Sequence, residues 1–211
     1  MHIDMDSAFL ALDRLKQGNH RFATGERIRE IGVDHARRME LVEDQNPFAI
    51  VLGCSDSRVP AELVFDQGLG DLFVIRVAGN IVKPSQIGSV EFAAEKFATR
   101  LVVVLGHSQC GAVLATLDEL EQPSESRSPN LRSIVDSIRP SVEGLLEASH
   151  GLNREEIVQA AVRENIRTSV RRLQQGSEII KKLIREEWLL VVGAEYSLET
   201  GVVEFFDPNH S

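Results

Sequence analysis

Five side chains able to do chemistry fall in two short stretches, Cys54-Ser55-Asp56-Ser57-Arg58 and His107-Ser108-Gln109-Cys110-Gly111. Cys54, His107 and Cys110 together form a soft ligand set suited to zinc. Two thiolates and a neutral imidazole cancel the charge of the ion. Three protein ligands leave a fourth position for water, the pattern of a catalytic rather than a structural zinc. Zinc lowers the pKa of such a water and makes hydroxide available near neutrality. Thiolates donate more charge than imidazoles, so the water here is expected to be less acidic than on a three-histidine zinc. Asp56 and Arg58 are separated by one residue, so in an extended loop both point the same way. The guanidinium fork of Arg58 can hold the carboxylate at two points. Held in this way, Asp56 can only accept hydrogen bonds, and it can orient the proton of a hydroxide. Released, it can reach the metal as a fourth ligand and close the site.

Both stretches follow apolar runs that read as buried parallel strands, 48–53 and 101–106. In open α/β sheets ligands bind at the carboxyl ends of the strands. Before the first strand, Phe9, Leu12, Leu15 and Phe22 recur at helical spacings. They predict one or two short amphipathic helices over 5–23, with Gly18 interrupting, then a loop over 24–35 and a short helix within 34–44. Further strands are expected at 72–77, 188–192 and 202–206, and helices at 61–65, 87–99, 111–120, 131–149, 154–175 and 177–186. The polar, proline-containing segment 122–130 is the clearest loop. Strands alternating with helices give an α/β domain with a mostly parallel sheet. Ile157, Ala161, Val162, Ile166, Val170 and Leu173 form one apolar stripe, read as core. Arg163, Arg167, Arg171 and Arg172 lie mostly off it, as solvated or acid-paired residues.

The chain has 211 residues and a net charge of −9. That length supports one sizeable core, read as a single domain over 1–211 with a helical arm (1–35) and an α/β core (36–211). The negative charge argues against nucleic acid, which selects a basic patch. No apolar run approaches the ~20 residues that span a membrane. The acidic start, Met1 to Asp6, lacks the features of a signal peptide, so a cytoplasmic location is expected. Two cysteines make no disulfide framework. His2, His20, His35, His150 and His210 have no cysteine nearby and are read as surface residues.

Cys-x-Asp-x-Arg followed by His-x-x-Cys after a second strand resembles the β-class carbonic anhydrases. The resemblance continues through Asp66-Gln67-Gly68, Phe73-Val74-Ile75-Arg76, Gly79-Asn80, Tyr196 and Thr200-Gly201, covering roughly residues 5–206. It implies reversible hydration of CO2 to bicarbonate by attack of a zinc-bound hydroxide, one zinc per chain, and catalytic roles for Asp56 and Arg58. It also implies a sheet of four parallel strands plus an edge strand, and a homodimer or dimer of dimers. The arm could pack on its own core or on a partner subunit; the resemblance implies the second. Gln45 matches a glutamine that binds substrate, Phe73 and Ala78 match apolar pocket positions, and Gly111 matches a backbone N–H donor. Phe92 matches an aromatic contributed across the dimer interface. Some relatives carry a regulatory bicarbonate site marked by a tryptophan, an arginine and a tyrosine. Here Arg76 and Tyr196 match, but Val51 stands at the tryptophan position, so an open, three-ligand site without cooperative bicarbonate inhibition is expected.

Three other functions fit parts of the pattern. The same fold and zinc could act on carbon disulfide or carbonyl sulfide. A closed site with Asp56 permanently on the metal would make a non-catalytic zinc or bicarbonate-binding protein. A redox dithiol fits least, because the cysteines are not Cys-x-x-Cys.

Overall fold

In the computed structural model, which describes residues 5–27, 35–123, 128–148 and 151–206, β1 (Ala49–Gly53) and β3 (Leu101–His107) are buried at every position. They pair in parallel, with Ile50 opposite Val102 and Gly53 opposite Leu105. β2 (Leu72–Arg76) adds in parallel to the free side of β1, and β4 (Leu190–Tyr196) to that of β3. β5 (Val203–Phe205) runs antiparallel along β4. The order β2-β1-β3-β4-β5 is the expected mostly parallel sheet, with one antiparallel edge strand.

Successive strand residues face opposite sides, so each apolar run feeds two layers. Ile50, Leu52, Val102, Val104 and Val191 pack with the helices α4 (Pro84–Lys96), α5 (Gly111–Glu121), α6 (Pro129–Ala148), α7 (Arg154–Gln175) and α8 (Glu178–Arg185). Ala49, Val51, Leu101, Val103 and Val192 pack with α1 (Met5–Thr24) and α3 (Ala61–Val64). Each fully buried aliphatic side chain contributes about 1.5–3 kcal/mol. α2 (His35–Glu40) buries no residue.

α1 is one continuous helix of 20 residues, not two broken at Gly18. A Cβ at Gly18 would lie 1.8 Å from the Phe65 carbonyl oxygen, so the glycine marks a close crossing over α3. The helix buries Ala8, Leu12 and Leu15 in its own chain, while Phe9 from the expected stripe is exposed. Asn19 Nδ2 donates to the carbonyls of Val64 and Gly201, and its Oδ1 accepts from the Val203 N–H. Residues 5–24 therefore dock one face on their own core, while Phe9 and Leu10 stay exposed on the other. Other differences have simple causes. β2 is only partly buried because it is an edge strand. α4 and α6 begin earlier than expected, at Pro84 and Pro129, since proline suits a first helical turn. β4 starts later than Trp188 and runs on to Tyr196. Parts of the loops expected at 24–35 and 122–130, and His2, His150 and His210, lie outside the described residues. His20 and His35 are exposed, as expected.

Gly18→Ala should destabilise the fold by about 2–3 kcal/mol, because backbone must move to admit the methyl. Gly144→Ala, in an exposed turn of α6 with open space at its Cβ, should instead stabilise by about 0.5–1 kcal/mol. Urea unfolding of both variants checks the pair; a Gly18→Ala protein as stable as wild type would contradict the tight helix crossing.

Candidate metal centre

β1 ends at Gly53 and delivers Cys54; β3 ends on His107 itself. A turn through Ser108 and Gln109, the latter at φ 56°, then brings Cys110 to the amino end of α5. Cys54, His107 and Cys110 are all buried, and their ligand atoms lie within 4.8 Å of one another. The N–H groups of Ala112 and Val113, in the first turn of α5, favour the thiolate of Cys110.

The imidazole is oriented for ligation. Nδ1 lies 2.9 Å from the Ser108 carbonyl oxygen. A carbonyl only accepts, so Nδ1 carries the proton and Nε2 presents a lone pair. Nε2 is buried and, among the described residues, has no hydrogen-bond partner. A buried nitrogen left without a partner costs about 1–3 kcal/mol, and here it faces two sulfurs. That is the arrangement a soft divalent cation satisfies, and the residues fit zinc.

The two thiols are unlike each other. Cys54 is drawn down to about 4, chiefly by its hydrogen bond with Cys110, with smaller help from the peptide N–H groups of Gly79 and Asp56. Cys110 is pushed far above the ordinary thiol range by that same bond with Cys54 and by burial. Ligation needs both sulfurs as thiolates, so loading a metal releases any proton they hold.

Asp56 is gripped by Arg58. Its Oδ1 accepts from the Arg58 backbone N–H and from Nε–H, both at 2.9 Å, and Oδ2 accepts from Nη2–H at 2.8 Å. The guanidinium and the backbone N–H of Arg58 hold the carboxyl well below the usual carboxylate range. Oδ2 also lies 3.8 Å from His107 Nε2, so this oxygen faces the ligand cluster. Arg76 acts on the same loop from β2: Nε–H donates to the Cys54 carbonyl at 3.0 Å and Nη2–H to the Asp56 carbonyl at 2.6 Å. Sequence comparison alone had suggested only an anion-binding role for Arg76. Val51 is fully buried in the α1 layer, and Tyr196 packs there against Phe22.

The pocket positions divide. Ala78 lies in a single 3₁₀ turn, Ala78–Asn80, beside Cys54, and Gly111 opens α5 beside Cys110. Gln45, Phe73 and Phe92 lie at the amino end of the sheet, since Gln45 precedes β1 and Phe73 pairs with Ile50. Ile50, the register partner of Phe73, lies four residues before Cys54, about 13 Å along the strand, so within one chain these three side chains are set apart from the cysteines and His107. Phe92 stacks on Phe73 and Phe97, at 6.2 and 5.7 Å between ring centroids, yet is 54% exposed. It lines an open groove of about 720 Å³ with Gln45, Val42 and Leu69.

The family model described as carbonic anhydrase matches residues 49–203. A carbonic anhydrase of Mycolicibacterium smegmatis is 41% identical over 191 residues, covering 90% of this chain and 89% of that protein. Carbonic anhydrase 2 of Mycobacterium tuberculosis is 40% identical over 191 residues, covering 89% and 87%. Among solved structures, the β-carbonic anhydrase CcaA superposes with a TM-score of 0.75 at 29% identity, over 93% of this chain and 87% of that one. One of two tetrameric β-carbonic anhydrases from Sordaria macrospora shares the fold, with a TM-score of 0.71 at 24% identity over 80% and 85%. Sequence kinship along nearly the whole chain thus agrees with the geometry of the strand ends, and the chain belongs to the carbonic anhydrase family, in its β class, and reversibly hydrates carbon dioxide to bicarbonate.

Proposed function

We propose that Cys54, His107 and Cys110 hold one zinc ion per chain, and that Asp56, held by Arg58, orients the nucleophile. The observation that carries this is the unpartnered Nε2 of His107, buried against two sulfurs with an Asp56 oxygen 3.8 Å away. When bound, zinc supplies the Lewis acidity that makes a hydroxide nucleophile available near neutral pH. Asp56 is ionised and can only accept. Oδ2 uses one lone pair on Arg58 Nη2–H, and its second can accept the proton of the attacking hydroxyl. With the ion in place, that bond would turn an oxygen lone pair of the nucleophile toward the CO2 carbon; the new C–O bond would push one C=O π pair onto its oxygen, giving HCO3⁻. Arg58 keeps Asp56 in this orientation and away from the metal, which supports an open three-ligand site over a closed, non-catalytic one. Ala78 supplies an apolar wall for an uncharged substrate, and the Gly111 N–H offers a donor at the amino end of α5. The named relatives are carbonic anhydrases, which does not favour carbon disulfide or carbonyl sulfide as substrate.

The working unit is a homodimer or a dimer of dimers. Phe92, Val42, Met39 and Leu69 leave apolar area exposed around the groove, more than solitary surface residues would. A second copy seated there would bring Gln45, Phe73 and Phe92 to its own CO2 pocket. The two cysteines form no disulfide, which suits a reducing compartment such as the cytoplasm as the site of action. Among the described residues no helix is long and apolar enough to cross a membrane. Bicarbonate inhibition is non-cooperative, because Arg76 is already committed to two carbonyls and Val51 to the core.

Metal analysis of purified protein should give one zinc per chain, falling well below stoichiometric in Cys54→Ser and in Cys110→Ser. Full zinc in both variants would remove the basis of the assignment. Asp56→Asn and Arg58→Ala should each lower kcat/KM for CO2 hydration by about 10²-fold while zinc is retained. The double variant should lose little more than either single one, because the two residues act as a unit. Stopped-flow hydration rates check this, and wild-type rates in either single variant contradict the assigned roles. Phe92→Asp should yield monomers in sedimentation velocity together with loss of hydration activity; dimers with full activity would exclude the shared pocket.

A further inference from the structure

Cys54 receives a hydrogen bond from the protein itself, and that bond has a visible anchor. The Gly79 N–H lies 3.3 Å from the Cys54 sulfur. Gly79 stands at φ 71° and ψ 22°, a left-handed conformation open to glycine. A Cβ there would come within 2.7 Å of Ile138 Cδ1 and 3.0 Å of the Ala112 Cβ, so α5 and α6 press on it directly. This backbone sends its N–H toward the metal ligand and its C=O toward α7. The C=O is met by Asn165, whose Nδ2–H donates to it at 2.8 Å. A carbonyl accepts only, so this bond also fixes which end of the amide faces Gly79.

Asn165 is otherwise out of place. It is 2% exposed and sits on the buried side of α7 among Ala161, Val162 and Ile166. A buried amide costs free energy unless its groups are paired. Its Oδ1 has only a long contact, 3.4 Å, with Ser141 Oγ, whose shorter bond runs to the Ile138 carbonyl at 2.5 Å. Among the described residues, the bond to Gly79 is therefore the short polar contact that accounts for an amide set among mostly aliphatic neighbours.

We propose that Asn165 is a positioning residue of the metal centre: by anchoring the Gly79 carbonyl it aims the Gly79 N–H at the sulfur of Cys54. It touches neither substrate nor metal. The N–H withdraws electron density from the thiolate, so the anchor sets how strongly Cys54 donates to the ion and fixes the direction of its lone pairs. Loss of such outer contacts typically costs about 10–100-fold in metal affinity. The proposal rests on Cys54 being a zinc ligand, which Cys54→Ser tests separately.

The experiment measures zinc affinity by chelator competition and the sulfur-to-metal charge-transfer band of the Co²⁺ form. It compares wild type, Asn165→Leu, Asn165→Asp and a packing control, Val170→Ala, which is buried on the same helix. Both Asn165 variants should still bind stoichiometric metal, with affinity down about tenfold or more and the charge-transfer band shifted. Val170→Ala should lower the Tm yet keep both metal readouts. Wild-type affinity and an unmoved band in the Asn165 variants would overturn the proposal and leave Asn165 a packing residue. Loss of stoichiometric binding in wild type itself would instead strike at the ligand assignment. Asn165→Asp is nearly isosteric and serves if the leucine variant does not fold. The ¹¹³Cd form of the wild-type protein gives an arm free of mutation: a scalar coupling between ¹¹³Cd and the Gly79 amide proton is expected, and its absence also overturns the proposal.

Discussion

The pairing of β1 with β3 sets Cys54 beside His107, and the site is built outward from that pairing. Gly53 and Leu105 are in register, so the chain leaves the sheet at one edge from two neighbouring strands. Parallel strands require crossover connections, and these bring helix amino ends to the same edge. α5 therefore starts where Cys110 arrives, and its free N–H groups face a sulfur that has to become a thiolate. A register slip of one residue would turn Cys54 to the opposite face of the sheet. The buried aliphatic runs that fix this register are thus as necessary to the chemistry as the ligands.

Around the ligands, charge and backbone are held by different residues. Arg58 pairs with the Asp56 side chain and keeps it ionised, while Arg76 grips the carbonyls of Cys54 and Asp56. Each arginine uses several donors in a fixed geometry, which a lysine could not reproduce. The loop is thereby braced from within and from the neighbouring strand. Gly79 adds a second hold on Cys54, through the sulfur.

The two ends of the sheet carry different parts of the proposed pocket. Metal ligands, Asp56, Ala78 and Gly111 gather at the carboxyl end, and Gln45, Phe73 and Phe92 at the amino end. An aromatic side chain left half exposed over a groove is poorly explained by the single chain, since burying it would be favourable. In the proposed dimer a second copy would cover it and join the two ends into one enclosed site, so that assembly and chemistry would become the same requirement.

Much of this was legible without coordinates. Cys54, His107 and Cys110 could be placed at one sheet edge because uninterrupted aliphatic runs announce doubly covered parallel strands, and the ligands follow them directly. Asp56 and Arg58 could be paired because their separation is local. The parts that could not be read all depend on what lies across the chain. Gly18 looks like a helix breaker until Phe65 is seen beneath it. Glu195 hides the second half of β4, because a charge looks foreign to a buried strand; Arg163, 3.0 Å away, is what admits it. Arg76 became a backbone brace, and α1 docked on its own core, only once β2 and α3 were in position. Asn165 carried one signal, a polar residue within an apolar stripe, but the stripe does not say which carbonyl it meets. Local sequence determines periodicity, strand ends and ligand type, since these depend on neighbours along the chain. Close approach, charge pairing and the partners of buried polar groups were decided by tertiary structure, because each depends on an atom supplied from a distant segment.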